Sequence, residues 1–124
     1  MKTISGAVMV AVVLTGCGSS GSAPVEVSGT WQAGHPDGAF LTLEADGSLH
    51  GNDGCNSFFG TWSEEGSAAG LQLSFDGVGK TEMFCEGVDD WLSQLHSATV
   101  EDDGVRMHIM DVNGQMRGSV DKLP

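Results

Sequence analysis

The chain has 124 residues, room for one small domain and a targeting segment, and sets 17 acidic residues against five basic ones for a formal charge of −12. That charge excludes nucleic acid and anionic headgroups as natural partners, because both would be repelled. The 19 glycines are about twice ordinary usage, which puts turns between short apolar stretches and favours a β-rich fold.

At the N-terminus one cation, Lys2, precedes an apolar run from Ile4 to Leu14. The run is about a dozen residues at most, too short for the roughly 18 to 20 of a membrane-spanning helix but right for a signal peptide. It closes in Leu14-Thr15-Gly16-Cys17, which resembles the lipobox of bacterial lipoproteins: an apolar residue and two small ones before cysteine. The resemblance implies that residues 1–16 are removed and that Cys17 becomes a diacylglycerated N-terminus. An ordinary secretory signal with an incidental cysteine is the alternative. One acyl chain binds a membrane marginally and two or more hold stably, so the protein is expected on the extracytoplasmic face of a membrane without spanning it. Residues 17–27, rich in Gly and Ser, have the composition of a flexible tether. Residues 28–124 are then one folded domain, expected as a monomer. All 17 acids lie beyond the cleavage point, against Lys80, Arg106, Arg117 and Lys122. Such acidity reads as a solvated surface, or as attraction for a cationic partner or ligand.

From Ser28 the pattern alternates. A short strand is expected around Trp31, then a hairpin from Phe40 to His50 about an Asp46-Gly47 turn, a strong hairpin signal between apolar stretches. Strands follow through Phe58–Trp62 and through Leu71, Leu73 and Phe75, whose period of two places them on one face. The period then changes. Val88, Trp91, Leu92 and Leu95 are spaced i, i+3, i+4, i+7, one stripe of an amphipathic helix, with Glu86, Asp89 and Asp90 at its expected start. Strands resume across Asp103-Gly104 and Asn113-Gly114, with Val105, Met107, Ile109 and Asp111 sharing a face. The expected class is α+β: an antiparallel, barrel-like or strongly curled sheet with one amphipathic helix.

Cys55 and Cys85 remain once Cys17 is set aside, an even pair in an exported chain, so a disulfide is the first expectation. It would tie the loop before one strand to the start of the helix. A reactive thiol needs a base such as His50, His96 or His108 and a redox partner, and neither cysteine belongs to a C-x-x-C pair. Zinc needs more ligands at recognisable spacing than four scattered histidines supply.

The same segments carry a family resemblance. Gly51, Gly54, Cys55, Asn56 and Gly60, then Thr81, Met83 and Cys85, then DDWLSQL and the strand pair about Asn113-Gly114, resemble the META domain of HslJ-like heat-shock-inducible bacterial lipoproteins. The likeness spans about Ser28 to Val120. It departs at the ends, where the opening strand is short after Trp31 and QMRGSVDKLP lacks an apolar finish. The resemblance implies an extracytoplasmic α+β domain, associated with stress or drug tolerance, and no known reaction.

Other constellations are weak. The acidic pairs Glu64-Glu65 and Asp89-Asp90 are sequence neighbours in solvated turns, unlike the opposed carboxyls of a glycosidase. No calcium loop, phosphate cradle or nucleophile elbow is present. Catalytic, metal and cofactor sites are therefore not expected. Phe58, Phe59, Trp62, Trp91 and Met83 read first as core. Phe58 and Phe59 are adjacent, however, so on a strand they point to opposite faces. Phe58, Phe59 and Trp62 are the candidate binding surface, for an envelope protein or an apolar ligand. The leading reading is a non-enzymatic, membrane-anchored binding or stress-protective module. The alternatives are a pilot or assembly factor or a lipid carrier with a hydrophobic groove, and a thiol redox enzyme.

Overall fold

The computed structural model describes residues 25–67 and 70–124. The expected signal peptide, the expected lipidation site Cys17 and most of the expected tether lie outside them. Eight strands form a closed antiparallel barrel in simple chain order. They are β1 (Gly29–Ala33), β2 (Phe40–Leu43), β3 (Ser48–Asn52), β4 (Ser57–Ser67), β5 (Gly70–Lys80), β6 (Ser97–Val100), β7 (Arg106–Met110) and β8 (Met116–Lys122). β1 pairs with β8, Trp31 opposite Lys122 and Ala33 opposite Val120, which closes the ring.

Alternation builds the interior. Trp31, Leu41, Leu43, Leu49, Phe58, Leu73, Met107, Ile109 and Val120 point inward and are almost wholly buried. An eight-stranded barrel is just wide enough for side chains to fill. Gln32, His50, Gln72 and Arg106 face outward, the reverse of a membrane barrel with its apolar exterior. The expected turns form, with Gly47 and Gly114 at positive φ. Asp46 Oδ1 accepts the Ser48 N–H at 2.9 Å, and Asp111 Oδ1 accepts those of Asn113 and Gln115 at 2.9 and 3.0 Å.

The α+β expectation is corrected: the fold is all-β among the described residues, and the amphipathic helix does not form. The apolar stripe instead supplies a four-residue 3-10 turn, Trp91–Gln94. Gly87 at φ +77° breaks the approach, and Leu95 is already extended at φ −60°, ψ 138°. A helix confined between Cys85 and β6 is shorter than the roughly 12 to 15 residues that hold helix alone in water. Burial decides instead. Trp91, Leu92 and Leu95 are buried as a plug in one mouth of the barrel. Glu86, Asp89 and Asp90 consequently have no helix N-terminus to stabilise.

Successive connections alternate between the two ends. One end holds residues 34–39, 53–56, 81–96 and 111–115, and with them the plug. At the other end the chain enters. Val27 is buried there and takes the Trp31 indole N–H on its carbonyl at 2.9 Å. Val25 lies over Gly104, where a Cβ would come within 2.8 Å of it.

β8 shows how a strand without an apolar finish closes a barrel. A Cβ on Gly118 would lie 2.7 Å from the Trp91 ring. The plug thus fills the interior space that this strand's own side chain leaves empty.

Candidate functional site

The turn between β3 and β4 is built by its own side chains. Asn52 Oδ1 accepts the Gly54 N–H at 2.8 Å. Asp53 Oδ1 accepts those of Cys55 and Asn56 at 2.9 and 2.6 Å. Gly54 is required: it sits at φ +98°, and a Cβ there would meet Pro36 at 2.4 Å. Gly51 is equally constrained, because a Cβ would come 2.3 Å from the Phe40 carbonyl and 2.6 Å from the Phe58 ring.

Asp53 is fully buried. Burial alone would raise its carboxyl pKa. The Ser93 hydroxyl, the Asn56 and Cys55 amides and the Lys80 charge outweigh that, holding it below the usual range. Its Oδ2 makes no hydrogen bond; the Ser93 hydroxyl is turned to the Asp90 carbonyl at 3.2 Å. Direct hydrogen bonds thus come to Oδ1 alone.

This turn grips the loop after β5 in two ways. Cys55 and Cys85 form a disulfide. It joins the turn before β4 to an irregular loop rather than to a helix start, a second consequence of the missing helix. Beside it, the nearly buried Asn56 acts as a backbone mimic. Its Oδ1 accepts the Thr81 hydroxyl at 2.7 Å and the Met83 N–H at 2.6 Å, while Nδ2 donates to the Met83 carbonyl at 3.0 Å. Thr81 Oγ1 also accepts the Ser57 N–H at 3.1 Å. Gly51, Gly54, Cys55, Asn56, Thr81 and Cys85, read in sequence as a signature, are therefore one mechanical unit.

That unit holds out two apolar side chains: Met83 is 61 % and Phe84 88 % exposed. Phe59, 53 % exposed, lies on the outer face of β4, two residues beyond Ser57, whose carbonyl takes the Thr81 N–H at 3.0 Å. The three expected surface residues thus separate. Phe58 belongs to the core and is withdrawn from the surface. Trp62 is half-buried against the core, its indole N–H donating to the Glu44 carbonyl at 2.8 Å, so it locks the β2–β3 turn. Phe59 alone is displayed. Sequence reasoning missed Phe84; the signal was its place between Met83 and Cys85, in a segment with no alternation to bury it.

A second constellation lies on the outer face of β6–β8. His108 sits between Glu101 Oε2, 2.7 Å from Nε2, and Ser119 Oγ, 2.8 Å from Nδ1. Only the register that sets His108 opposite Ser119 reveals it. The two ring nitrogens are used in the order opposite to that of a hydrolytic triad, and the site is a sheet surface.

These features define a class: a small closed β-barrel whose glycine-rich turn is stapled to an exposed loop. The chain belongs to the META domain family, whose model matches residues 19–116. The match ends where β8 begins. Comparison with curated proteins and with solved structures found no match.

Proposed function

We propose that this META-domain protein is a lipoprotein anchored through Cys17 on the extracytoplasmic face of a membrane. In this reading it serves, without catalysis, as a binding module in envelope stress or drug tolerance, as the likeness to HslJ-type lipoproteins suggests. One observation carries the binding part: the Asn56 clamp and the disulfide hold Met83 and Phe84 in water on a fixed backbone. Exposing two large apolar side chains on a rigid loop is the arrangement of a recognition surface, since little ordering is left to oppose association. The Leu14–Cys17 motif and a disulfide suited to an oxidising compartment support the anchor.

A lipid-carrier role is less well supported, because core side chains fill the barrel. A pilot or assembly role would use the same exposed loop. Two experiments test the reading. Labelled palmitate should enter the wild-type protein and not Cys17→Ser, and the variant should leave the membrane fraction; unchanged partition would refute the anchor. A photocrosslinker at position 84 should give envelope adducts that one at Glu65 does not. Equal labelling from both positions would refute the binding surface. Two reactive thiols in the denatured, unreduced protein would instead restore the redox reading.

A further inference from the structure

We propose that the clamped Met83–Phe84 loop docks a cationic, amphipathic polypeptide segment, which sets an apolar side chain on Phe84 and its Lys or Arg residues on the acids around it. The inference rests on the binding-module reading and adds the class of partner. Phe84 is the most exposed large apolar side chain among the described residues, and its neighbours on both sides are fixed, Met83 through Asn56 and Cys85 through sulfur. Glu82 and Glu86, two residues to either side of it in the same loop, and Asp89 further along are exposed. Lys80, the single cation between residues 80 and 90, is committed to Asp90 at 3.6 Å. An exposed apolar tip flanked along its loop by acids complements a segment with apolar and basic residues interleaved. The apolar contact supplies residence time, and the charges supply approach rate and selection. The same acids repel anionic headgroups, which makes a membrane surface the poorer occupant.

The test uses the full chain in phosphatidylcholine nanodiscs, with empty nanodiscs as blank, and a fluorescent amphipathic peptide of leucine and lysine. Leucine–glutamine and leucine–glutamate versions are the comparisons, and anisotropy is the readout. The lysine peptide should bind, the glutamine version about tenfold more weakly, and the glutamate version not at all. Phe84→Ser should weaken lysine-peptide binding at least about tenfold, as loss of an interface anchor does, with an unchanged melting temperature. Glu82→Gln with Glu86→Gln should weaken binding and flatten its dependence on salt. Glu64→Gln with Glu65→Gln, at the far end of the barrel, should leave it intact. Binding indifferent to Phe84→Ser, or weakened equally by both glutamine pairs, would be diffuse attraction to an acidic protein and would overturn the proposal. No binding of the lysine peptide would also overturn it, and the photocrosslinks from position 84 would then decide the broader reading separately. Tight, Phe84-dependent binding of the glutamine version would keep the surface and refute the cationic class.

Discussion

Asp53 and Asn56 divide the work of one turn. Asp53 spends its Oδ1 on two amides in a buried site, and hydrogen bonds to a charged group each contribute about 1.5–3 kcal/mol. The unbonded, buried Oδ2 offsets part of that, so Asp53→Ala should lower stability by about 2–3 kcal/mol in urea titration. The pH dependence follows from the lowered folded-state pKa. A carboxyl held below its unfolded value stabilises the fold fully above that value, about 4, and loses the contribution as pH falls through the folded pKa. The wild-type urea midpoint should thus hold steady from neutral pH down to about 5 and fall below 4, and Asp53→Ala should remove part of that fall. Cys55→Ser tests the other grip. It reopens a connection of 30 residues, for which chain entropy gives about 3–4 kcal/mol. Asn56→Ala should cost less overall yet expose residues 81–88 to protease, because the clamp acts on that loop alone. Unchanged melting of Cys55→Ser would contradict a structural disulfide.

The plug shows how one stripe of apolar residues serves two geometries. Val88, Trp91, Leu92 and Leu95 have helical spacing, yet a single 3-10 turn followed by an extended residue buries Trp91, Leu92 and Leu95 too. Local pattern records that these residues leave water; the shape they take is decided by the mouth they must fill. Trp91 spans that mouth, bonding the His35 carbonyl through its indole N–H at 2.9 Å and lying on Gly118. Trp91→Ala should destabilise by about 3–5 kcal/mol, as large core truncations do, read by thermal melting; a shift of under a degree would mean that the plug is ornamental. The hairpins about Asp46-Gly47 and Asn113-Gly114 were legible because turn chemistry is local. So was the opposition of Phe58 and Phe59. The Asn56 clamp and the Glu101–His108–Ser119 series were not, because each depends on partners brought in from distant strands.

The barrel is complete only when its last strand returns to its first. β8 covers edges of both β1 and β7 and brings Val120 into the core. Ending the chain after Gln115 should leave two unpaired strand edges, which favour self-association. The shortened protein is expected to aggregate in gel filtration and to lose its β-sheet circular dichroism on mild heating. A monomeric, cooperatively melting product would show that the first seven strands suffice.

The alternation of connections also places Val25 and Phe84 at opposite poles. Under the anchoring proposed above, the chain would enter the barrel at one pole and present Phe84 at the other, about 15 Å away by the rise of five-residue strands. Partners arriving from the surrounding compartment would then meet that tip without passing the end at which the tether joins.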